Sequence, residues 1–432
     1  MTKFIVEGGK ELKGEIRLAG AKAEAPKLMI ASLLTDEPVR LDNFPKIGDT
    51  DITRELCERI GSTVSIKNGS ATLTTQSIKT SRVLELSRRN RIPILALGPL
   101  LARTGEAEVP ILGGDKIGPR PVDLHLQALR ALGAEIEITS SSYHARAPKG
   151  LHGATIEFSF PSVGATENTI LAAVLAKGKT VIKNAALEPE IVGLIKMLQK
   201  MGAIIELAPP RTITIEGVGR LRGTRHRILP DRNEAVSFAC LAIATGGDIL
   251  IRGAVQEHLI TFLNAVRRIG ADYEVLPEGI RFRRMNNLRV TDIETATHPG
   301  FMTDWQQPFT VLLTQADGTS TVHETVYEDR FGYTADLNTM GASIEILDQC
   351  PTGHMCRFSG GHSKHVAKIS GPSKLRGGKL TVRDLRSGMV DVIAALVAEG
   401  ESIIEGVEEI DRGYERIDER LRELGAKIER MA

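Results

Sequence analysis

Apolar residues recur along this chain in a pattern that repeats about every 70 residues. A helix-like stretch ends in an apolar residue, then glycine, then a small residue, and a strand-like alternation follows. The motif occurs six times, at 60–62, 132–134, 201–203, 269–271, 340–342 and 424–426. Glycine after the last apolar turn is a helix C-cap signal, so the pattern predicts six junctions from helix to strand.

A second helix is predicted in each unit. Another apolar stretch ends at a polar residue followed by glycine, as at Lys177-Gly178 and Glu399-Gly400, and this is a signal for a helix C-terminus. Stretches such as 170–175 and 392–397 are apolar on all sides, which is typical of completely buried helices. A solenoid is the alternative architecture for repeats, but these units are long enough to collapse as globular bodies. We expect an α/β protein of six pseudo-repeats, three in each of two halves, with the boundary near 229–232.

Polar or glycine-containing loops lead into several of the predicted helices, at 17–22, 159–164, 227–232 and 382–388. Helix N-termini expose unpaired N–H groups and the positive end of the helix dipole. These loops therefore predict anion-binding positions. The stretch 109–125 adds three glycines, three prolines and Asp115, Lys116, Arg120 and Asp123. Its density of special backbone positions favours a functional loop, with an ordinary surface loop as the alternative.

The composition of the chain disfavours several classes of binding partner. Aromatic residues make up 4% of the chain and the formal net charge is +1, which disfavours stacking on nucleic acid and a polyanion-binding surface. Apolar runs stay shorter than the ~18 residues of a membrane span. The four cysteines form no C-x-x-C pair and the N-terminal segment lacks an export signal, so we expect free thiols and a cytoplasmic location.

A cluster of potential metal ligands occurs near residue 350, where the repeat is longer than elsewhere. The spacing does not match a standard zinc finger, so the sequence favours an ordinary surface insertion and no metal. Zinc binding is the alternative, with a potential ligand set of Cys350, His354, Cys356, His362 and His365.

Motifs from about residue 3 to residue 430 resemble those of the UDP-N-acetylglucosamine 1-carboxyvinyltransferase family. They are G-A-K at 20–22, G-G-D-K-I-G-P-R-P-V-D-L-H at 113–125, S-V-G-A-T at 162–166, N-A-A-x-E-P-E at 184–190, L-P-D-R at 229–232, H-P-x-F-x-T-D at 298–304 and I-D-R-G-Y-E-R-I at 410–417. The resemblance implies a two-domain inside-out α/β barrel. One domain would comprise 22–229, and the other 1–21 plus 230–432.

The activity implied by the resemblance is transfer of the enolpyruvyl group of phosphoenolpyruvate to the 3-hydroxyl of UDP-N-acetylglucosamine. It implies that Asp115 protonates C3 of phosphoenolpyruvate and that Asp304 binds the sugar hydroxyl. It also implies a cationic clamp, with Lys22, Arg120 and Arg412 as its principal members and Ala23, Arg91, Arg330 and Arg386 close to it. The nucleotide sugar would contact Arg91, Arg120, Pro121, Val122, Asp123, Leu124, Ser162, Val163, Gly164, Asp304 and Val326. The reaction requires no cofactor.

Two positions depart from the family pattern. Ala23 stands where the family has a substrate-contacting asparagine, and Phe160 stands where a lysine often holds the diphosphate. These departures leave two alternatives open, a transferase with another nucleotide acceptor and an impaired paralogue that binds UDP-sugar. Asp115 replaces the cysteine that fosfomycin alkylates in many members, so we expect resistance to fosfomycin. The sister family, 5-enolpyruvylshikimate-3-phosphate synthase, has a G-S-K-S-x-x-N-R start that this chain lacks.

Overall fold

The computed structural model describes residues 2–88, 90–114 and 118–432. These residues form twelve α-helices: α1 (Ala25–Ala31), α2 (Gly48–Ile60), α3 (Leu97–Thr104), α4 (Asp123–Ala131), α5 (Val163–Ala173), α6 (Pro189–Lys200), α7 (Arg232–Ala244), α8 (Ile260–Arg268), α9 (Thr303–Leu313), α10 (Thr334–Thr339), α11 (Leu385–Val397) and α12 (Ile417–Glu423). Among the described residues, we find no helix whose length and apolar character would let it cross a bilayer.

The same residues form short strands in six sheets. The strands are β1 (Lys3–Glu7), β2 (Lys13–Arg17), β3 (Val39–Asp42), β4 (Thr63–Lys67), β5 (Ser70–Thr74), β6 (Glu106–Pro110), β7 (Glu135–Ile138), β8 (Ser142–Arg146), β9 (Thr155–Glu157), β10 (Lys179–Lys183), β11 (Ile204–Ala208), β12 (Thr212–Glu216), β13 (Thr224–Arg227), β14 (Asp248–Arg252), β15 (Asp272–Leu276), β16 (Gly279–Arg283), β17 (Leu288–Arg289), β18 (Ile293–Glu294), β19 (Ala316–His323), β20 (Ser343–Leu347), β21 (Val366–Gly371), β22 (Lys379–Thr381), β23 (Glu401–Glu405) and β24 (Lys427–Met431).

The chain divides into two compact units. The first, called here the 20–229 unit, comprises 20–114 and 121–229, and the second, called the 230–432 unit, comprises 2–19, 118–120 and 230–432. The expected domains differ from these units in where they place residues 20–21 and 118–120. The chain passes from one unit to the other after β2 and again after β13, and residues 118–120 join the 230–432 unit in between.

The 20–229 unit contains three sheets, with strand orders β13-β3-β5-β4, β6-β8-β7 and β9-β10-β12-β11. Three helices, α1, α3 and α5, contribute to its single apolar core together with the inward faces of the strands and of the other helices. Every residue of α5 from Ala165 to Ala173 is buried. This helix lies between the parallel strands β9 and β10 in the sequence, so it forms a βαβ crossover.

The 230–432 unit repeats this plan with a separate core. Its sheets have strand orders β22-β23-β1-β24, β15-β16-β14-β2 and β17-β19-β21-β20, and β18 also pairs with β19. All thirteen residues of α7 are buried, and α7, α9 and α11 pack against one another. Burying each large apolar side chain stabilises the fold by about 1.5–3 kcal/mol. The expected fold class, an inside-out α/β arrangement with three repeats per unit, is confirmed.

The six glycines of the first sequence motif follow the C-terminal ends of six helices, α2, α4, α6, α8, α10 and α12. Each has a positive φ, between 83° at Gly270 and 131° at Gly61. A side chain at this φ would clash with the following carbonyl, so glycine permits the chain to leave the helix and enter the next strand. The prediction of six such junctions is confirmed. Five of the six sheets that the described residues form have at least four strands, whereas β6-β8-β7 has three.

Candidate functional site

Asp304 is the centre of the largest group of predicted site residues in the 230–432 unit. It lies in the first turn of α9, and its carboxylate accepts hydrogen bonds from Arg330 and from Nε of Arg386, the latter at 3.2 Å. Asn233 Nδ2 lies 3.5 Å from the same carboxylate. The N-cap of α9 is Met302, so Asp304 does not cap the helix and its carboxylate is available for these contacts.

The two arginines are almost completely buried, while the Asp304 side chain is 32% exposed. Burial lowers the pKa of Arg330, but Asp304, Asp384 and Glu324 outweigh that effect and raise it. Burial also opposes the charge on Arg386, whose pKa is raised by Tyr414 and Asp304. Both side chains therefore stay cationic and fix the partly exposed carboxylate in one orientation.

Asn233, Asp304 and Arg386 lie in the N-terminal turns of the three central helices, α7, α9 and α11. Asp231 caps α7 by accepting from the backbone N–H groups of Asn233 and Glu234, at 2.8 and 3.2 Å. Asn233 is positioned in turn by Trp305 Nε1, which donates to its Oδ1 at 2.8 Å. Asp384 caps α11 in the same way, and Arg386 follows in the first turn of that helix. Local capping thus brings together residues that are far apart in the sequence.

Arg386 also contacts the C-terminal part of the unit. Its Nη1 donates to the hydroxyl of Tyr414 at 3.1 Å, and that hydroxyl lies 2.9 Å from Ser237 Oγ. Arg412, two residues before Tyr414, is buried and donates to Glu409 at 2.8 Å. The motif at 410–417 therefore contributes one charged candidate and one residue that supports Arg386.

Arg120 and Arg330 both contact the aromatic ring of Tyr327. The guanidinium of Arg120 is 5.8 Å from the centroid of Tyr327, and that of Arg330 is 5.6 Å from it. Arg120 has a φ of 46°, in the left-handed region, which is unusual for a residue other than glycine. Such strain is frequent at binding sites.

Val326, a predicted sugar contact, belongs to the same segment as Tyr327. The backbone N–H groups of both residues donate to Glu324 Oε1, at 2.8 and 3.1 Å. Glu324 is buried, which raises its pKa, and its other oxygen accepts from Thr303 at 2.8 Å. Glu324 therefore ties this segment to the start of α9, beside Asp304.

Lys22 is the main cationic candidate of the 20–229 unit. Its ammonium lies 3.0 Å from Asp49 Oδ2, and its side chain keeps 22% of its exposure. The neighbouring Ala23 offers its carbonyl to the ammonium of Lys27. That lysine lies 3.6 Å from the buried Glu167, so the turn before α1 is fixed by charge pairing although residue 23 has no polar side chain.

The predicted nucleotide-sugar contacts of this unit lie at the starts of α4 and α5. Ser162 caps α5 by accepting from the N–H of Ala165, and Val163 and Gly164 form its first turn. A Cβ at Gly164 would lie 2.9 Å from the His125 ring, so only glycine fits this contact without a shift.

The stretch 121–124 leads into His125, which joins the two helix starts. Pro121 and Asp123 are exposed, while Val122 and Leu124 are partly buried. His125 Nδ1 lies 3.3 Å from Asn168 Nδ2. Burial and then the charge of Arg91 lower the pKa of His125 to about 3, so the ring is neutral.

The predicted proton donor, Asp115, lies outside the described residues. The other candidates fall into the two units as follows: Lys22, Ala23, Arg91, 121–124 and 162–164 in the 20–229 unit, and Arg120, Asp304, Val326, Arg330, Arg386 and Arg412 in the 230–432 unit. Sequence reasoning missed Asn233, Trp305, Tyr327 and Tyr414. Three of these, Asn233, Trp305 and Tyr414, lie within or directly beside the quoted motifs, so motif context was the available signal.

Comparisons with known proteins give one family. The family model described as EPSP synthase (3-phosphoshikimate 1-carboxyvinyltransferase) matches residues 6–421. The UDP-N-acetylglucosamine 1-carboxyvinyltransferase of Protochlamydia amoebophila is 48% identical, over 99% of this chain and 94% of that protein. The protein of the same name from Acidiphilium cryptum is 43% identical over the whole of both chains.

Solved structures show the same fold at lower identity. The enolpyruvyl transferase NikO from Streptomyces tendae has a TM-score of 0.85 and 22% identity, and covers 100% of this chain and 99% of its own. EPSP synthase from Acinetobacter baumannii has a TM-score of 0.73 and 19% identity over all of both chains. With its relatives at 43–48% identity over nearly its full length, this chain belongs to the UDP-N-acetylglucosamine 1-carboxyvinyltransferase family of enolpyruvyl transferases.

Proposed function

We infer that this protein transfers the enolpyruvyl group of phosphoenolpyruvate to the 3-hydroxyl of UDP-N-acetylglucosamine, with release of phosphate. The observation that carries the inference is the 48% identity over 99% of the chain to a protein named for this transfer. The product is a precursor of peptidoglycan. We therefore also propose a cytoplasmic enzyme that serves cell-wall synthesis, and through it cell shape and division.

The reaction requires a proton at C3 of phosphoenolpyruvate and a new bond from the sugar oxygen to C2. The bond between C2 and the phosphate oxygen then breaks, and C3 gives up a proton to restore the double bond. We propose that Asp115 delivers the proton to C3 and that its carboxyl group stays protonated until the donor binds. A carboxyl group is also a poor nucleophile towards an epoxide, which is the reason to propose resistance to fosfomycin.

Asp304 is proposed to accept the hydrogen bond of the sugar 3-hydroxyl and to help remove its proton. Its geometry supports this role, because buried Arg330 and Arg386 each hold one oxygen of the carboxylate while about a third of the side chain stays exposed. A preorganised acceptor of this kind loses little free energy to reorientation during the reaction.

The cations are proposed to neutralise the carboxylate and phosphate of the donor. Lys22, Arg120, Arg412 and Arg386 are the candidates, with Ala23 beside them. The proposed nucleotide-sugar contacts are Arg91, 121–124, 162–164 and Val326. The start of α5 supports this assignment, because Val163 and Gly164 lie in the first turn of the helix. A helix N-terminus is a favourable binding position for a diphosphate.

Phosphate release from phosphoenolpyruvate, with and without UDP-N-acetylglucosamine, tests this function. We expect release only when the nucleotide sugar is present. The Ala23→Asn variant restores a polar group to the turn before α1, and we expect it to raise turnover by up to ~10²-fold. Unchanged turnover in an active enzyme would mean that another group makes this contact.

Ala23 also favours a second candidate, an enolpyruvyl transferase with a different nucleotide acceptor. Release of phosphate with another nucleotide sugar, but not with UDP-N-acetylglucosamine, would support it. Binding of UDP-N-acetylglucosamine without phosphate release in either variant would indicate an inactive paralogue.

A further inference from the structure

Two cysteines and two histidines come together at one end of the β17-β19-β21-β20 sheet. The residues are His323, the last residue of β19, and Cys350, Cys356 and His365 of the connection between β20 and β21. Each offers one ligand atom, and these atoms all lie within 4.8 Å of one another. His323 was absent from the ligand set considered in the sequence, and His354 and His362 of that set lie outside this group.

Two distances within the group are close to the edges of a tetrahedron around one metal ion. Cys350 Sγ lies 3.5 Å from Cys356 Sγ and 3.2 Å from His365 Nε2. Two sulfurs bound tetrahedrally at about 2.3 Å from one zinc ion lie about 3.7 Å apart, and a sulfur and an imidazole nitrogen about 3.5 Å apart. Cys350 would therefore move by only a few tenths of an ångström relative to Cys356 and His365, and the other pairs of ligand atoms, which lie within 4.8 Å, would draw closer.

Both histidines are oriented by hydrogen bonds through the nitrogen that faces away from the group. His323 Nδ1 lies 3.0 Å from Glu294 Oε2, and His365 Nδ1 lies 2.6 Å from the carbonyl oxygen of Ser363. Carboxylates and carbonyls in this position are typical of metal-bound histidines, because they fix the ring and leave Nε2 as the ligand atom. The thiol of Cys356 also accepts from the N–H of Phe358 at 3.3 Å, an interaction that stabilises a thiolate ligand.

The protein alone does not satisfy His323. Its side chain is 3% exposed, and its Nε2 is buried with no hydrogen-bond partner among the described residues. A buried polar atom without a partner costs about 1–3 kcal/mol. A metal ion at the centre of the group would supply the missing partner.

The connection that carries three of the ligands is long for two adjacent antiparallel strands. It runs from 348 to 365 and contains turns but neither helix nor strand, whereas β4 and β5 are joined by Asn68-Gly69 alone. Structureless connections of this length are uncommon in compact domains and usually have a function. A metal ion bound by three residues of such a connection would offset much of the entropic cost of ordering it.

We propose that His323, Cys350, Cys356 and His365 bind one zinc ion, which fixes the 348–365 connection to the end of β19. Two thiolates and two imidazoles favour zinc over magnesium or calcium, which prefer oxygen ligands. Four protein ligands leave no open position for water or substrate, so the site is structural rather than catalytic. The ion would therefore take no direct part in the transfer reaction.

Two other arrangements of the same side chains are possible outcomes of a test. Glu294, His323 and His354 form a second, more exposed group of potential ligands. Cys350 and Cys356, which are free thiols here, could instead become oxidised to a disulfide. The variants below distinguish these arrangements from the proposed site.

Metal analysis of the full chain, purified without a histidine tag under reducing conditions and with zinc in the growth medium, tests the proposal. We expect about one zinc ion per chain by mass spectrometry. Removal by a chelator should lower Tm, and zinc should restore it. Cobalt in place of zinc should give the visible absorption of a tetrahedral ion and a thiolate-to-cobalt charge-transfer band.

Matched variants locate the metal. Cys350→Ser, Cys356→Ser and His365→Asn should each lose the ion, while His354→Asn and His362→Asn should retain it. The proposal is overturned if the wild-type protein binds no zinc even after incubation with the ion. It is also overturned if His354→Asn loses the metal while Cys350→Ser keeps it, or if the cysteines form a disulfide in freshly purified protein.

Discussion

The two units build the same architecture but pair the charges on their central helices differently. In the 230–432 unit, Asp304 of α9 is contacted directly by two buried guanidiniums, Arg330 and Arg386. In the 20–229 unit, Glu167 of α5 is completely buried and has Lys27 at 3.6 Å. The comparison shows that carboxylates on two central helices are held in two ways, Asp304 as a rigid, partly exposed carboxylate and Glu167 as an enclosed acid.

The pKa of Glu167 reflects its surroundings. Burial raises it most, Lys27 opposes that effect, and Glu190 and Glu188 raise it further, to about 7. A buried acid with a single, more distant cation therefore changes its protonation near neutral pH. Two arginines contact the carboxylate of Asp304, whereas burial and the neighbouring Glu190 and Glu188 favour the neutral form of Glu167.

The largest expected effect follows from removing the charge of Asp304. Asp304→Asn keeps the size of the side chain but cannot accept a proton, so we expect phosphate release to fall by ~10²–10⁴-fold. The rate is measured with both substrates present. Asp336→Asn is the control, because that carboxylate pairs with exposed Arg383 in the same unit. Equal rates in the two variants would show that Asp304 has no part in the chemistry.

A smaller effect is expected when one of the two arginines is removed. Arg330→Met leaves buried acidic groups without their cation and should lower the free energy of unfolding by about 3 kcal/mol. Arg383→Met breaks an exposed pair with Asp336 and should cost less than about 1 kcal/mol. Chemical denaturation measures both. If the two variants lose the same stability, the pairing around Asp304 is no stronger than a surface pair.

The smallest effect concerns pH and the 20–229 unit. The pKa of Glu167 is about 7 in the folded chain and 4.5 in its ordinary state, so the folded chain binds more protons between these values. The free energy of unfolding therefore falls as pH rises from 4.5 to 7, by about 1–3 kcal/mol from this group.

Glu167→Gln removes this contribution and should flatten the dependence of stability on pH across that range. Glu157→Gln, at a side chain that is 72% exposed, should leave the dependence unchanged. Denaturation at a series of pH values compares the variants. A slope in Glu167→Gln as steep as in the wild type would show that Glu167 ionises normally.

The repeats, the glycine junctions and the fully apolar helices could be predicted from sequence because they depend on local rules. The backbone has a positive φ at Gly61 and Gly270, a conformation that favours glycine, so the position of each junction is visible in the sequence. The motifs also identified Asp304 and Arg386, although spacing gave no sign that one would contact the other. Their contact depends on how α9 and α11 pack, which is a tertiary property.

Other features could not be predicted for physical reasons. His323 joins Cys350 and His365 because β19 and β21 are neighbours in one sheet, with His323 opposite Val366. Sequence spacing contains no information about that register. The left-handed backbone of Arg120 was also missed, because flanking prolines predict stiffness and not the sign of φ.

The sheet β22-β23-β1-β24 has a consequence for dividing the chain. Strand β1 lies between β23 and β24, although it is separated from them by the whole 20–229 unit in the sequence. A fragment that starts at residue 230 would lack this central strand and leave two unpaired edges. Lys3 and Met431 are directly opposite each other, so a short peptide joining these ends would make the 230–432 unit a single continuous polypeptide.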